Sequence, residues 1–188
     1  MYGAIIIGGS AGSFKILCKV IDSLPADYPI PIIVCAHRLR TVKIGIISAL
    51  SSNSRIKICE PCDKDPIEPG NVYIAPANYH LLIEQGNFFT LSTSKPINHS
   101  RPSIDIMMKS AAGVYNERLL GILISGANSD GAEGMIAIHN SGGTTIVQDP
   151  DEAEISSMPE AAIHSYNPDY IYNADKIINF IGNLAQRK

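Results

Sequence analysis

The stretch Ala4-Ile5-Ile6-Ile7-Gly8-Gly9-Ser10-Ala11-Gly12 lies beside the N-terminus and predicts a strand, a tight turn and then a helix. An apolar, β-branched run is typical of a buried strand, and the glycines allow the chain to turn sharply after it. The residues fit G-x-S-x-G, in which the serine is a nucleophile at the carboxyl end of a strand. A serine at a helix start is equally typical of an N-cap. The stretch therefore leaves two roles open for Ser10, nucleophile and cap.

Length and composition indicate one soluble globular domain. The chain has 188 residues, of which 45% are hydrophobic and 18% charged, and we predict a single domain over residues 1–188. A net charge of −3 provides no strongly basic face, so we expect no nucleic-acid partner. No apolar run approaches the roughly 18 residues of a membrane span, and no signal peptide is recognisable. We therefore expect a cytoplasmic protein with reduced cysteines and no membrane insertion.

The segment Cys59-Glu60-Pro61-Cys62 raises the question of a metal or redox site. Zinc normally requires four ligands, and neither a second cysteine pair nor a histidine pair follows. A redox pair normally opens a helix, but Pro66 and the turn Pro69-Gly70 indicate a loop instead. We predict no metal and no cofactor.

Strand and helix patterns alternate along the chain. Strands are predicted at 4–7, 31–36, 55–59, 72–75, 119–124, 144–148 and 169–172. Helices are predicted at about 14–24, 41–51, 103–116, 130–141, 157–165 and 174–186. The turn Gln85-Gly86-Asn87 separates two apolar segments and is typical of a hairpin. The order predicts a three-layer α/β fold, with a mostly parallel sheet, helices on both faces and a small antiparallel hairpin that extends the sheet.

In such sheets, functional residues lie beyond the carboxyl ends of the strands. Ser10 occupies that position after the first strand, and His37 does so after the second. A serine and a histidine at adjacent strand ends predict a nucleophile with its general base. The carboxylate that would orient the histidine comes from Glu60, Asp130 or Asp149, and the sequence by itself does not choose among them.

The other histidines are predicted to be surface or packing residues. Two of them fall in or near the hairpin and two fall within predicted helices: His80, His99, His139 and His164. Cys18 and Cys35 are predicted to be small core residues.

A resemblance to a known family rests on motifs spread over nearly the whole chain. They are Gly9-Ser10-Ala11-Gly12, His37, Val72-Tyr73-Ile74-Ala75-Pro76, His80-Leu81-Leu82, Ser100-Arg101-Pro102-Ser103-Ile104-Asp105, Ser125-Gly126, Asp130-Gly131-Ala132-Glu133-Gly134, Gln148-Asp149 and Ser157-Met158-Pro159. In these motifs the chain resembles the catalytic domain of the chemotaxis protein-glutamate methylesterases, the CheB family.

The resemblance implies the roles of the site residues. It makes Ser10 the nucleophile and His37 the general base, and it selects Asp130 as the acid that orients the histidine. The implied reaction is hydrolysis of glutamate γ-methyl esters on methylated chemoreceptors, with deamidation of receptor glutamines as a related activity. Backbone N–H groups of the serine turn, that of Ala11 among them, are candidates to stabilise the oxyanion. No cofactor or metal is implied.

Arg101 is a candidate for binding a carboxylate of the substrate, with a structural ion pair to Asp105 as the alternative. The chain departs from the family's usual residues close to the site. Alanines replace a threonine and a methionine at Ala11 and Ala127, and Arg38 follows the histidine where a methionine is usual.

The family's receiver domain has no counterpart in the sequence, so we expect a stand-alone methylesterase. Two further functions stay open on the sequence alone. One is a catalytically weak relative that binds a signalling partner, and the other is a serine hydrolase for a different ester or amide.

Overall fold

The computed structural model describes residues 1–37, 45–97 and 100–186. The strands are β1 (Ala4–Gly9), β2 (Ile32–Ala36), β3 (Lys57–Cys59), β4 (Asn71–Ile74), β5 (His80–Glu84), β6 (Phe88–Ser92), β7 (Leu119–Leu123), β8 (Thr144–Gln148) and β9 (Tyr170–Tyr172). The helices are α1 (Phe14–Asp22), α2 (Ile46–Leu50), α3 (Ile104–Tyr115), α4 (Ala132–Asn140), α5 (Ser157–Ser165) and α6 (Ala174–Leu184), and a 3-10 turn at Asn116–Arg118 follows α3.

The main sheet has the strand order β3-β4-β2-β1-β7-β8-β9, and every pair of neighbours is parallel. The strands β2, β4 and β3 lie on one side of β1, and β7, β8 and β9 lie on the other. In this topology the loops that follow β1, β2 and β7 emerge at the same edge, at the point where the strand order reverses.

The core lies on both faces of this sheet because the side chains of β1 alternate between them. Ile5 and Ile7 join the cluster beneath α1 and α6, whereas Ala4 and Ile6 join the cluster beneath α3, α4 and α5. All of these residues are buried, which explains why β1 is a continuous apolar run. The three-layer α/β prediction is confirmed.

The hairpin differs from its prediction in one respect. Strands β5 and β6 pair antiparallel across the predicted turn, but they form a sheet of their own and do not extend the main sheet. Their apolar residues Leu81, Ile83 and Phe89 pack in the same cluster as α3. Burying one face against a helix stabilises a two-stranded sheet that would be marginal alone.

Helix boundaries and faces also required correction. Within the described residues α2 begins only at Ile46, and the start of the predicted helix, 41–44, lies outside them. Phe14, the first residue of α1, is 45% exposed, and Cys18, which was predicted to be a core residue, is only partly buried. The buried positions of α1 are Ile16, Leu17, Val20 and Ile21. Within the described residues, no helix is long and apolar enough to cross a membrane.

Candidate active site

The turn that carries Ser10 follows β1 directly and is held by backbone contacts. The Ser10 N–H donates to the Ser125 carbonyl over 2.9 Å, and the Ser10 carbonyl accepts from the hydroxyl of Ser13 over 2.6 Å. The N-cap residue of α1 is Ser13, so Ser10 is not the cap. No hydrogen bond joins the Ser10 hydroxyl to another described residue. That hydroxyl is therefore available at a partly exposed turn.

Two glycines explain why the G-x-S-x-G pattern is needed here. Gly12 has a φ of +81°, and a Cβ at this position would lie 2.5 Å from Ser125 Oγ and 2.8 Å from Glu154 Cβ. Gly8 lies against Ile104 at the start of α3, where a side chain would collide. The last glycine therefore permits the turn, and the first permits α3 to approach β1.

Ser125, two residues beyond the end of the neighbouring strand β7, fixes the turn. Its hydroxyl lies 2.9 Å from the Ala11 carbonyl and 3.1 Å from that of Ile155, and it accepts from the Ile155 N–H over 2.9 Å. Ala11 itself is exposed, and its N–H donates to no other described residue. A free backbone donor therefore lies next to the Ser10 hydroxyl in the chain.

His37 follows the adjacent strand β2. Gly9 and Ala36 are register partners, and the His37 N–H donates to the Gly9 carbonyl over 3.2 Å. Parallel pairing therefore places Ser10 and His37 at neighbouring strand ends, as the sequence predicted. No hydrogen bond joins their side chains among the described residues.

Asp130 lies in the loop before α4, and its carboxylate is fully buried. Its Oδ2 lies 2.7 Å from His37 Nε2 and accepts from the Ile104 N–H over 2.8 Å. Its Oδ1 accepts from the Ser103 hydroxyl over 2.9 Å and from the Asp105 N–H over 3.1 Å. The Asp130 N–H donates to Asn128 Oδ1 over 3.1 Å, so the main chain is also held.

The protonation of this pair follows from its contacts. Burial alone would raise the pKa of Asp130, but the hydrogen bonds from His37, Ile104 and Asp105 hold that pKa below its ordinary value. An ionised carboxylate can only accept, so the proton of the bond lies on His37 Nε2. The Nδ1 atom of His37 then has a free lone pair and is the atom that can act as a base.

Asp105 and Asp130 each accept hydrogen bonds from N–H groups at the start of the other residue's helix. Asp130 precedes α4 but accepts from the first N–H groups of α3. Asp105, in the first turn of α3, accepts at Oδ1 from Gly131 over 2.8 Å and from Gly134 over 2.7 Å, at the start of α4. Burial raises the pKa of Asp105 to about 6, because the Asp130 carboxylate adds repulsion and the N–H groups compensate only in part.

His80 belongs to the same network, although the sequence predicted only a surface or packing role. It is fully buried; its Nδ1 accepts from the Ser103 N–H over 3.2 Å, and its Nε2 lies 3.1 Å from the Lys95 carbonyl. His80 therefore fixes the N-cap residue of α3, which in turn donates to Asp130. No local sequence pattern indicates this role, because His80 and Ser103 come into contact only when the hairpin packs on α3.

Arg101 does not form the ion pair with Asp105 that the sequence offered as an alternative. Its guanidinium Nη1 instead donates to the carbonyls of Thr93 and Ser94, over 2.7 and 3.0 Å. Its Nε is buried and has no hydrogen-bond partner among the described residues. No described carboxylate forms an ion pair with this cation.

The remaining candidates lie elsewhere along the chain. Asp149 follows β8 and accepts from the Asp151 N–H, and Glu60 follows β3. His139 and His164 are exposed on helices as predicted, whereas His99 and Arg38 lie outside the described residues.

The two cysteines of the C-x-x-C segment are also separate from the site. Cys59 ends β3 and Cys62 lies in the following loop, and both are free thiols. Burial raises the pKa of the Cys59 thiol, which disfavours the reactive thiolate. Among the described residues no cluster of three or more His, Cys, Asp or Glu side chains is arranged to hold a metal.

A cavity of about 260 Å³ borders the serine turn on the side of α1. Gly12 forms part of its wall, with Lys15 and Lys19 from α1 and Glu152 and Glu154 from the loop after β8. Side chains of both charge signs therefore line this cavity.

Fold and site together define a parallel α/β protein in which three neighbouring strands, β2, β1 and β7, bring a histidine, a serine and a buried aspartate to one edge. The chain belongs to the CheB methylesterase family, whose sequence model, described as "CheB methylesterase", matches residues 5–181. The resemblance predicted from the motifs is thereby confirmed.

Individual relatives agree with this assignment. The chain is 40% identical over 185 residues to a "putative protein-glutamate methylesterase/protein-glutamine glutaminase" of Leptospira interrogans, covering 98% of this chain and 96% of the relative. It is 32% identical over 176 residues to the "protein-glutamate methylesterase/protein-glutamine glutaminase" of Thermotoga maritima, covering 92% of this chain but only 51% of that longer relative. The crystal structure of the Thermotoga maritima CheB methylesterase catalytic domain superposes with a TM-score of 0.92 at 31% identity, covering 98% of this chain and 99% of that one.

Proposed function

We propose that this protein, as a single domain over residues 1–188, is a protein-glutamate methylesterase that hydrolyses glutamate γ-methyl esters on methylated chemoreceptors. The 2.7 Å contact between His37 Nε2 and the buried Asp130 carboxylate is the observation that carries the proposal, because it leaves a basic Nδ1 atom one strand away from Ser10. The names of the relatives support the same activity and add deamidation of glutamine side chains. None of the four cysteines, which all lie within the described residues, forms a disulfide, and this fits a cytoplasmic location.

In the first half of the reaction, Ser10 Oγ attacks the ester carbonyl carbon while His37 Nδ1 takes its proton. The negative charge that develops on the carbonyl oxygen is stabilised by backbone donors, for which the free N–H of Ala11 is the candidate. The C–O bond to the methoxy group then breaks, and methanol leaves with the proton held on Nδ1. Ser10 is left as the ester of the glutamyl side chain.

In the second half, His37 Nδ1 removes a proton from water as the water oxygen attacks the glutamyl ester. The bond to Ser10 Oγ breaks, and the hydroxyl regains its proton from the imidazolium. The product is the free glutamate carboxylate. Throughout the cycle Asp130 keeps the Nε2 proton in place and stabilises the imidazolium that forms twice per turnover.

Arg101 is proposed to attract a carboxylate of the receptor segment, since no described carboxylate neutralises its charge. We expect Arg101→Gln to raise KM severalfold with kcat unchanged, because the contact would bind substrate and transition state equally. Lys15→Gln, which removes a cation beside the neighbouring cavity, is the matched control. A fall in kcat without a change in KM would assign Arg101 a structural role instead.

Methanol release from methylated receptor membranes tests the proposed function. The native protein is expected to release methanol, and Ser10→Ala is expected to release none. Labelling by a fluorophosphonate probe, with the same variant as control, reports separately on the serine. Labelling and small-ester cleavage without methanol release would indicate another ester substrate. Absence of both Ser10-dependent labelling and methanol release would indicate a binding protein without turnover.

A further inference from the structure

The α3 and α4 N-termini meet in the protein interior, and each is capped by a carboxylate from the other. Both carboxylates are buried, with Asp105 5% and Asp130 0% exposed. Five hydrogen bonds cross between the two helix starts, three into Asp130 and two into Asp105. A displacement of either helix start would therefore break bonds to both carboxylates at once.

The main chain on the C-terminal side of Asp130 depends on Asp105. Gly131 has a φ of +102°, a conformation that strongly favours glycine, and its N–H donates to Asp105 Oδ1 over 2.8 Å. A Cβ at Gly131 would lie 2.6 Å from Leu123 Cδ1, so this turn is also closely packed. Asn128 holds the other side of Asp130, through the N–H of Asp130 itself.

We propose that Asp105 is a positioning residue of the esterase: its Oδ1 holds the Gly131 turn and thereby keeps Asp130 Oδ2 within hydrogen-bond distance of His37 Nε2. The catalytic part of this inference rests on the proposed function. Among the described residues, the Asp105 carboxylate accepts hydrogen bonds only from the N–H groups of Gly131 and Gly134 and has none to Ser10 or His37. Its effect on the reaction passes through Asp130.

A single oxygen of Asp105 accepts both bonds, and this suggests the decisive pair of variants. In Asp105→Asn the amide oxygen can accept from Gly131 and Gly134 as before, so positioning is retained although the charge is lost. In Asp105→Ala both N–H groups lose their acceptor. If Asp105 acts by positioning, Asp105→Asn should keep the activity that Asp105→Ala loses.

Two further variants separate positioning from general loosening of the helix pair. Ile138→Ala destabilises α4 by removing a fully buried side chain, without altering the carboxylate exchange. Glu133→Ala removes the exposed 3.6 Å ion pair with Lys109, another contact between α3 and α4. Both are expected to leave kcat of the folded protein unchanged.

Steady-state kinetics of methanol release is the first measurement. We expect Asp105→Ala to lower kcat by about 10- to 100-fold with KM unchanged, the range known for residues that orient a metal-binding histidine through a hydrogen bond. Asp105→Asn is expected to stay within about threefold of the native enzyme, since its acceptor remains. If Asp105→Ala and Ile138→Ala have comparable melting temperatures and equal kcat, Asp105 acts only as a helix cap. That result would overturn the proposal.

The second measurement does not depend on activity. The ¹⁵N signals of the His37 imidazole at pH 8 report which nitrogen carries the proton. The native protein and Asp105→Asn are expected to show Nε2–H alone, and Asp105→Ala a mixture of both tautomers. If the native protein released no methanol, the proposed function would fail while this measurement still tested Asp105. An unmixed Nε2–H signature in Asp105→Ala would contradict the positioning role.

Discussion

The turn after β1 and the turn after β7 supply the two ends of the proposed triad, yet they are constructed differently. Ser10 is partly exposed, and its hydrogen bonds to described residues are made by its backbone, to Ser125 and Ser13. Asp130 is fully buried, and its carboxylate oxygens are engaged by four groups. The first turn leaves its side chain free, and the second fixes its side chain completely.

This difference matches what each group must do. A nucleophile has to leave its resting position to form a bond with the substrate, so side-chain contacts would oppose it. An orienting acid acts only while it stays in place, and in a buried site every donor around it must be satisfied. Mutations should therefore separate the two turns, since changes at Ser10 affect activity alone and changes around Asp130 affect activity and stability together.

Ser10→Ala should show the largest effect on activity and almost none on stability. Loss of a serine nucleophile costs on the order of 10⁶ in kcat in well-studied hydrolases. Because no described residue bonds to the hydroxyl, the free energy of unfolding should change by less than about 0.5 kcal/mol. Methanol release and thermal melting measure the two quantities. A large fall in melting temperature would contradict the separation of the two turns.

Asp130→Asn should lower both kcat and the free energy of unfolding. Loss of the orienting carboxylate lowers kcat by about 10⁴ in serine hydrolases, because the histidine tautomer is no longer fixed. The amide nitrogen of asparagine would also face two donors, whichever way the side chain is turned, at a cost of about 1–3 kcal/mol for each buried group left unpaired.

Asp149→Asn is the matched control for that variant, because Asp149 is another carboxylate at a strand end, outside the hydrogen-bond network of Asp130. Its kcat and melting temperature should equal those of the native protein. A loss of activity in Asp149→Asn comparable to that in Asp130→Asn would place the orienting acid elsewhere.

His80 allows a test with a smaller expected effect. Its two hydrogen bonds, to Ser103 and to Lys95, can be kept one at a time by substituting asparagine or glutamine. Asparagine places an oxygen near Nδ1 and can accept from Ser103, whereas glutamine places an NH₂ near Nε2 and can donate to Lys95. Ser103 is fully buried and Lys95 is exposed, so water can replace only the second bond.

We therefore expect His80→Gln to lower kcat by about tenfold, corresponding to one buried donor left unpaired near the acid, and His80→Asn to lower it by less than about threefold. Kinetics with both proteins at equal folded concentration measures the difference. The reverse order would indicate that the hairpin loop, and not Ser103, transmits the effect.

The smallest expected effect is on the pH dependence of stability. The folded-state pKa of Asp105 is about 6, above its ordinary 3.8, so the folded protein binds more protons than the unfolded chain between these values. The contribution of the Asp105 carboxyl group to the free energy of unfolding is therefore fully present below about pH 4 and is lost as the pH rises through 6. The low pKa of Asp130 acts in the opposite sense and only below about pH 4.

Asp105→Asn lacks this titration. Its melting temperature relative to the native protein should therefore increase by a few degrees as the pH rises from 4 to 7. Thermal melting across that range measures the difference, with Glu133→Asn as an exposed control that should show none. A constant offset between the Asp105 variant and the native protein would contradict the raised pKa.

The sequence was sufficient for the elements that depend on local pattern. Ile5 to Ile7 predicted β1, and Ser10 and His37 were identified because residues after buried parallel strands must meet at one edge. The choice among Glu60, Asp130 and Asp149 was different. Each follows a predicted strand, and only the family resemblance selected Asp130.

What the sequence determined by itself, then, is the alternation of strands and helices and the presence of a serine and a histidine at adjacent strand ends. Local pattern did not show which carboxylate reaches His37, whereas the tertiary structure does, because that contact depends on the N-terminal turns of α3 and α4 packing against each other. It also decided the contacts of His80 with Ser103 and of Asp105 with Gly131, which are 23 and 26 residues apart in the chain. Local pattern is encoded by neighbours in sequence, whereas a buried polar network is specified by whichever donors and acceptors packing brings together.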